Sequence, residues 1–336
     1  MRSNAPPAIR LGYVGAGEWG EKKHLSAIEY IRNSTCDSDV EIVALCERDP
    51  ARADEIARRL GIARVYHDLD EFALDPEINC FSVTVAASSL VAVLPVLARR
   101  KLPVFCEKPL GISTADAARF AGLLDAPTVV GFNRRFYPIV NRFKEIIDGL
   151  PPPVFVDASF YRHGRTDSRD HAADPTGRTP PFVIGTAIHM INLLEYTVGR
   201  IIDVDAIAAG GDAPSWHCRL GFEHDRSARP VPGALTILPC CGKHTEWIEY
   251  HTTEVTVGLV CSLYGDLDYP GKIVVTRKGR EQDVISGDSD APRLVNEGFV
   301  EEYREFFALV RSGGTSRSDF HSAVNSMRIA EKIEKW

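Results

Sequence analysis

The feature that most constrains this chain is a glycine-rich stretch near its N-terminus, Gly15-Ala16-Gly17-Glu18-Trp19-Gly20. It follows the apolar run Ile9–Val14 and precedes a helix-like segment at residues 21–32. The first glycine allows a tight turn, the second lets the backbone approach a pyrophosphate, and the third lets helix and strand pack closely. A pyrophosphate would then meet free N–H groups and the positive end of the helix dipole. The sequence therefore predicts a dinucleotide site on a strand–turn–helix unit.

A second apolar run, Val40–Cys46, ends in Glu47. An acidic side chain at the tip of the second strand can accept hydrogen bonds from an adenosine ribose. The spacing exceeds the usual ~20 residues, and the polar segment 33–39 could be the insertion that lengthens it. The alternative is that Glu47 is an exposed loop carboxylate. Arg48 could stack on adenine or bind a 2′-phosphate, so NAD and NADP both stay open as cofactors.

Strand and helix patterns alternate from Ile9 to Phe132. The predicted strands lie at residues 40–46, 65–66, 80–85, 104–106 and 128–132, and the predicted helices at 50–60, 68–74, 90–100 and 114–124. This alternation is typical of a parallel, doubly wound α/β sheet. We therefore predict an N-terminal Rossmann domain over residues 1–132.

The pattern changes after residue 133. A helix is predicted at 137–150, a strand at 154–161, an aperiodic loop at 163–181 and a helix at 182–198. Six strand candidates follow without helices between them, at 204–208, 216–222, 234–238, 245–251, 254–263 and 272–277, and they favour a largely antiparallel sheet. Residues 133–336 are thus predicted to form an α+β substrate-binding and oligomerisation domain. Its closing helices, 297–311 and 318–335, could pack back on the N-terminal domain.

Composition excludes several classes of protein. A chain of 336 residues suggests about two domains, and a net charge of −7 gives no basic field for nucleic acid. Apolar stretches are too short to span a membrane, and the N-terminus lacks the apolar region of a secretory signal, so we expect a cytoplasmic protein. The eight cysteines contain no CxxC pair, and no metal site is predicted.

A second motif, Glu107-Lys108-Pro109, follows the strand predicted at 104–106. Ligands bind at the carboxyl ends of the strands in an open α/β sheet, so Lys108 should point to where a nicotinamide and a substrate meet. There it could exchange a proton with a substrate oxygen while hydride moves. Pro109 restricts the backbone of Lys108 and fixes its direction. The alternative is a surface turn with a Glu–Lys pair.

These motifs together resemble the Gfo/Idh/MocA family, named in part for glucose–fructose oxidoreductase and inositol dehydrogenase. The matching pieces are the glycine stretch with His24 downstream, residues 43–47 and 49–53, residues 105–110, residues 130–136 with Pro138, and the closing Phe299, Tyr303 and Phe306. The resemblance implies NAD- or NADP-dependent oxidoreduction of sugars, cyclitols or related molecules. It also implies an open C-terminal sheet through which the chain forms homodimers or homotetramers.

The resemblance also assigns roles to residues. Lys108 and His189 are expected to be catalytic, Lys108 in proton transfer and His189 as acid/base or substrate partner. The residues expected to contact the cofactor are Gly15, Gly17, Glu18, Trp19, Gly20, Glu47, Arg48, Glu107, Lys108 and Pro109. Those expected to contact the substrate are Lys108, Arg135, Tyr161, His189 and Asn192. Arg135 could hold a carboxylate or phosphate, or it could bridge the two domains.

The chain departs from the family at one point. The usual pattern Asp-x-Gly-x-His reads Gly185-Thr186-Ala187-Ile188-His189 here, and Asn192 stands where a second aspartate is common. A carboxylate four residues before His189 would share its helix face, so His189 should be a weaker base than usual. Lys108 could then carry the proton alone, or Asp167, Asp170 or His171 of the long loop could supply the missing group.

Two functions follow from these interpretations. The first is an oxidoreductase acting on a hydroxyl or carbonyl carbon, with reduction of a biosynthetic keto-sugar or an imine as a possible subtype. The second is a non-catalytic dinucleotide-binding sensor or scaffold of the same fold, which the missing aspartate motivates. The intact Lys108 favours the enzyme, because a sensor needs no proton donor. His189 could also be a buried structural histidine whose ring nitrogens are hydrogen-bonded within the protein.

Overall fold

The structure is a computed structural model that describes residues 8–34, 39–163, 179–209, 214–261 and 268–336. The chain divides into two compact units. The first unit contains Met1–Gly131 and Phe299–Val324, and the second contains Phe132–Gly298 and Asn325–Trp336. The loop residues Asp167, Asp170 and His171 lie outside the described residues, so their proposed roles stay predictions.

Strands and helices alternate through the first unit. The strands are β1 Ile9–Val14, β2 Val40–Cys46, β3 Arg64–Tyr66, β4 Cys80–Val83, β5 Val104–Cys106 and β6 Thr128–Val130, and the helices are α1 Ser26–Ser34, α2 Pro50–Leu60, α3 Leu69–Ala73, α4 Leu90–Ala98 and α5 Thr114–Ala121. The sheet order is β3-β2-β1-β4-β5-β6, and every neighbouring pair is parallel. This confirms the doubly wound sheet. The order reverses between β1 and β4, and such a switch point is where ligands bind in these sheets.

Local signals explain where the helices of this sheet begin and end. The Asp49 side chain accepts hydrogen bonds from the N–H groups of Ala51 and Arg52, and Pro50 occupies the first turn of α2. Gly61 ends the same helix in a left-handed conformation with φ 70°. The bounds 50–60 could therefore be predicted from the sequence, because each of these residue types has one favoured helix position.

The second unit contains an eight-stranded sheet. Its elements are α6 Pro138–Asp148, β7 Phe155–Tyr161, α7 Ile188–Thr197, β8 Ile201–Ala209, β9 Ser215–Phe222, β10 Val231–Leu238, β11 Thr245–His251, β12 Val255–Val260, β13 Lys272–Arg277, β14 Arg280–Ser286 and α8 Arg293–Asn296. They are followed by α9 Phe299–Ser312 and α10 Phe320–Glu334. The sheet order is β14-β13-β12-β11-β7-β10-β9-β8. All neighbouring strands are antiparallel except β7 and β10, which confirms a largely antiparallel sheet.

Strand β14 was not predicted from the sequence. It forms the sheet edge and begins with the polar sequence Arg280-Glu281-Gln282-Asp283, which lacks the apolar alternation of a half-buried strand. It pairs with β13 across Lys278 and Gly279, both of which have positive φ. A two-residue hairpin turn requires that conformation, but lysine is not a residue that signals it.

Two predicted helices contain a π-helical turn. Residues Gly20–Leu25 form such a turn before α1, and Val183–Ala187 form another before α7. The helical segments predicted at 21–32 and 182–198 are therefore present, and their first turns are π-helical, which the apolar spacing does not show. π-Turns inside helices are frequent at functional sites, and these two contain His24 and Gly185.

Candidate functional site

The glycine turn of the first unit has the geometry that its first glycine predicts. Gly15 has φ +81° and its N–H binds the Cys46 carbonyl at the end of β2 at 2.9 Å. A Cβ at Gly15 would lie 2.5 Å from Cγ1 of Val85. Both the backbone conformation and the lack of space therefore require glycine at this position.

Gly20 brings the helix close to the sheet. A Cβ there would lie 2.6 Å from Thr84 Oγ1 and 3.1 Å from the Gly15 carbonyl oxygen. The buried Tyr13 hydroxyl donates to the Gly20 carbonyl at 3.1 Å. Thr84 Oγ1 lies 2.5 Å from the Gly15 carbonyl oxygen, so Thr84 joins both ends of the turn. Thr84 was not singled out in the sequence, because nothing local marks it.

Gly17 differs from the other two glycines. It has no positive φ, and a Cβ built there would meet no protein atom within 4 Å. No internal packing requires glycine here, and the bare backbone leaves open space for a ligand to approach from outside. A dinucleotide diphosphate has the size and charge to do so at this helix N-terminus. The turn therefore fits a dinucleotide.

Glu47 is anchored to the glycine turn. Its Oε2 accepts a hydrogen bond from the Ala16 N–H at 2.7 Å, and its Oε1 accepts from the N–H groups of Arg48 at 2.8 Å and Asp49 at 3.1 Å. The Arg52 guanidinium donates to the Ala16 carbonyl. These contacts fix the carboxylate at the end of β2. Lone pairs remain on both oxygens, so a ribose contact by Glu47 stays a prediction.

Glu107 connects the second motif to the glycine turn. The Trp19 indole Nε1 lies 3.4 Å from Glu107 Oε1, and His24 Nε2 lies 2.8 Å from the same oxygen. Burial raises the pKa of Glu107, but its hydrogen bond to His24 and the charges of His24 and Lys108 outweigh burial and leave the pKa lowered. Glu107 is therefore a carboxylate at neutral pH. Lys108 follows it directly at the carboxyl end of β5, half-buried.

The second unit contains the other residues that were predicted to contact substrate. Arg135 Nε donates to Asn192 Oδ1 at 2.6 Å, and Asn192 Nδ2 donates to Ser326 Oγ at 3.0 Å. Two predicted substrate residues thus bind each other in the interior of the unit. Their contact with a substrate stays a prediction.

His189 and Tyr161 lie on different elements of this unit. His189 is buried on α7, with its ring edge-on to Phe132 at 6.3 Å between ring centres. Tyr161 ends β7, half-buried, and its backbone pairs with Leu238 and Thr245. Contact of these two side chains with a substrate stays a prediction.

The space beside Gly185 is occupied by Pro180. A Cβ at Gly185 would lie 3.4 Å from both Cγ and the carbonyl oxygen of Pro180, which is ordinary contact distance. The Gly185 N–H also donates to the Pro181 carbonyl at 2.7 Å. A side chain at position 185 would therefore contact Pro180 from its first carbon atom onward.

Sequence reasoning missed a buried ion cluster in the second unit. Glu246 is fully buried and binds Arg134 through both carboxylate oxygens, at 2.8 and 2.7 Å, and it also binds Arg162. Burial raises the pKa of Glu246, but the two guanidinium groups outweigh burial and lower it to about 2. Arg134 and Arg162, which follow the strands predicted at 128–132 and 154–161, are therefore held inside the unit by Glu246.

Two further properties concern the described residues as a whole. They contain no cluster of three or more His, Cys, Asp or Glu side chains arranged to hold a metal ion. No helix among them has the length and hydropathy of a membrane span.

The fold and the glycine turn define a dinucleotide-binding domain of the Rossmann type. Residues 9–131 match the family profile described as "Oxidoreductase family, NAD-binding Rossmann fold". This match covers the Rossmann domain of the first unit, which is similar to the cofactor domain of Gfo/Idh/MocA oxidoreductases, and it supports a nicotinamide dinucleotide, NAD or NADP, as the ligand of the glycine turn.

Particular relatives extend this comparison. The chain is 32% identical to an inositol 2-dehydrogenase of Acidothermus cellulolyticus over 61% of its own length, and the matched part spans only 58% of that relative. It is 26% identical over 97% of its length to a 4-carboxy-2-hydroxymuconate-6-semialdehyde dehydrogenase of Sphingobium sp., of which it covers 98%. Among solved structures it is similar in fold to levoglucosan dehydrogenase in complex with NADH, with TM-score 0.81 and 17% identity over 97% of this chain and 96% of that one.

The role of Gly17 can be tested by adding a side chain. Gly17→Val should keep the melting temperature unchanged, because a Cβ there meets no protein atom. It should weaken NADH or NADPH binding by about 10- to 100-fold, because the side chain would occupy the diphosphate's place. The measurement is a fluorescence titration with each dinucleotide. Gly242→Val is the matched control, since a Cβ at Gly242 would also have no neighbour within 4 Å and the residue has no positive φ; equal affinities for the two variants would contradict the assignment.

Proposed function

We propose that the protein is an NAD(P)-dependent oxidoreductase acting on a hydroxyl or carbonyl carbon of a sugar, a cyclitol or a related small metabolite. One observation carries the proposal. Lys108 follows β5 at the carboxyl end of the sheet, and the neighbouring Glu107 carboxylate is hydrogen-bonded by Trp19 of the glycine turn. Lys108, which can carry a proton, and the glycine turn, which would bind the cofactor, are thereby joined through Glu107 within one unit.

The chain's residues divide the chemistry among them. The bound nicotinamide supplies the hydride acceptor or donor. The glycine turn holds the diphosphate on the amides after Gly15, and Glu47 orients the adenosine ribose. Lys108 takes the proton of the substrate hydroxyl during oxidation and returns it during reduction, while Glu107 balances its charge.

The names of the relatives support the substrate class. The relatives are named as dehydrogenases of inositol, of levoglucosan and, in Sphingobium, of 4-carboxy-2-hydroxymuconate-6-semialdehyde. We extend the class to keto-sugars and imines, because glycine instead of a carboxylate stands four residues before His189 on the chain.

Assembly and location belong to the same proposal. We propose a homodimer or homotetramer that forms through the eight-stranded sheet, where Ile207 on β8 and Val284 on β14 are 75% and 58% exposed. A cytoplasmic location, expected from the sequence, completes the proposal.

The test begins with the cofactor and ends with turnover. NADH and NADPH are titrated first, and the preferred one is then offered with a panel of inositols, anhydrosugars, hexoses, keto-sugars, semialdehyde acids and cyclic imines. We expect turnover on at least one member of the panel, followed by the absorbance of the reduced nicotinamide. Tight dinucleotide binding without turnover on the whole panel would instead favour the sensor or scaffold.

A further inference from the structure

Behind Glu107 lies a buried row of hydrogen bonds that the proposed mechanism does not use. Ser82 Oγ lies 2.7 Å from the Tyr303 hydroxyl, the Tyr303 hydroxyl lies 3.2 Å from His24 Nδ1, and His24 Nε2 lies 2.8 Å from Glu107 Oε1. Ser82, Tyr303 and His24 are fully buried. The row thus runs from β4 through α9 and the first π-turn to the residue that precedes Lys108.

The chemistry of the groups gives this row a direction. A carboxylate only accepts hydrogen bonds, so His24 Nε2 must donate to Glu107. With a neutral ring, Nδ1 accepts from the Tyr303 hydroxyl and the Tyr303 oxygen accepts from Ser82; with a protonated ring, Nδ1 donates to the Tyr303 oxygen. In both cases the bond from Nε2 to Glu107 keeps its direction, and the low-dielectric interior strengthens it.

Aromatic rings hold His24 in this orientation. Its ring centre lies 5.5 Å from that of Phe105 and 5.4 Å from that of Phe299, which meets it edge-on. Tyr303 stacks on Phe105 at 4.6 Å. Contacts on several sides fix the ring plane, so Nε2 cannot turn away from Glu107 without moving β5 or α9.

A second carboxyl group lies beside His24 without competing for it. Glu302 on α9 is fully buried, its Oε1 is 3.8 Å from His24 Nδ1, and within the described residues neither oxygen has a hydrogen-bond partner. Burial, and then the charge of Glu107, raise the pKa of Glu302 well above its usual value. Glu107, which makes the hydrogen bond to Nε2 and whose pKa is lowered, is thus the carboxylate that His24 contacts directly.

We propose that His24 is a positioning residue for Lys108, which it orients through Glu107. This rests on the proposed function. The hydrogen bond from His24 keeps the Glu107 carboxylate ionised and fixed. That carboxylate then holds the ammonium group of Lys108 in place for proton transfer. The titratable groups that face Glu107 are His24 from the π-turn, Lys108 from its own segment, Glu302 and Tyr303 from α9, and Tyr13 from β1. Of these, His24 and Lys108 favour the carboxylate.

The experiment compares two replacements of one ring. His24→Phe keeps its shape without hydrogen bonds, while His24→Gln places an amide N–H close to the position of Nε2. We expect His24→Phe to lower kcat by about 10- to 100-fold, with NADH affinity and substrate KM within threefold of the parent. The acid limb of the pH profile of kcat/KM should move to higher pH in this variant. Glu107 loses a hydrogen-bond donor that favours its charged form, so its pKa rises. His24→Gln should recover most of the loss.

Two other variants complete the design. Tyr303→Phe removes the hydroxyl that holds Nδ1 and should give a smaller loss in the same direction. Glu302→Gln is the matched control beside the same ring, and it should leave kcat and the acid limb unchanged because no hydrogen bond joins Glu302 to His24 or Glu107. If His24→Phe does not fold, His24→Gln and Tyr303→Phe still decide the question.

An activity-independent measurement separates this proposal from the proposed function. Infrared spectra at neutral pH should show a new protonated-carboxyl band in His24→Phe that disappears in the double variant with Glu107→Gln. If the band appears but the parent enzyme shows no turnover, the His24–Glu107 contact is supported and the proposed function is contradicted. The positioning role would be overturned if His24→Phe and His24→Gln had equal kinetics and the acid limb did not move. In that case His24→Phe would show no new infrared band and would differ from the parent only in a lower melting temperature.

Discussion

Lys108→Met is expected to reduce kcat by roughly 10²- to 10⁴-fold while the affinity for NADH or NADPH stays within threefold of the parent. Methionine has a similar length and fits a half-buried position, but it can neither take nor give a proton. The substrate hydroxyl would then have to exchange its proton with water, without a positioned base. Single-turnover kinetics with the best substrate of the panel measure the loss, and fluorescence titration measures cofactor affinity.

Two comparisons make the Lys108 result specific. Lys108→Arg keeps the positive charge but holds its proton too tightly to transfer it, so it should lose nearly as much activity as Lys108→Met. Lys101→Met removes an exposed lysine a few residues earlier in the same unit, before β5, and should change nothing. Turnover of Lys108→Met within threefold of the parent would remove Lys108 from the mechanism.

The second large effect concerns stability. Glu246→Ala should destabilise the second unit by about 3–5 kcal/mol, because it leaves the buried guanidinium groups of Arg134 and Arg162 without their shared carboxylate. Urea unfolding followed by tryptophan fluorescence measures the loss, since Trp216 and Trp247 lie in this unit. Glu249→Ala on the same strand is the control. Its side chain is 44% exposed, so a change below about 1 kcal/mol is expected.

The same cluster predicts a pH dependence of stability. The pKa of Glu246 is lowered in the folded state to about 2, from an ordinary value of 4.5. Its contribution is therefore complete above about pH 4.5 and is lost as the pH falls toward 2. The difference in unfolding free energy between the parent and Glu246→Gln should narrow over that interval. A difference that stays constant from pH 7 to the acid end would contradict the ion cluster.

Much of the fold could be predicted because its signals are local. Alternating apolar strands and helices require a parallel sheet, and they gave all six strands of the first unit. Asp49, Pro50 and Gly61 mark the limits of α2 because each residue type has one favoured position at a helix end. Strand β14 escaped prediction because an edge strand needs little apolar surface, and the π-turns escaped because they keep the apolar spacing of a helix.

The sequence by itself determined the glycine turn. The left-handed φ at Gly15 and the lack of room for a Cβ at Gly20 admit no other residue. The residues that form such a turn are consecutive in the sequence, so the turn can be recognised from the sequence alone. Only the tertiary structure decided which polar groups meet. Glu246 binds Arg134 and Arg162, which lie 112 and 84 residues away, and His24 reaches Glu107 across 83 residues. Such pairs arise from the order of strands in a sheet. No spacing along the chain encodes that order, and it is the cost of burying an unpaired charge that selects the partners once the chain has folded.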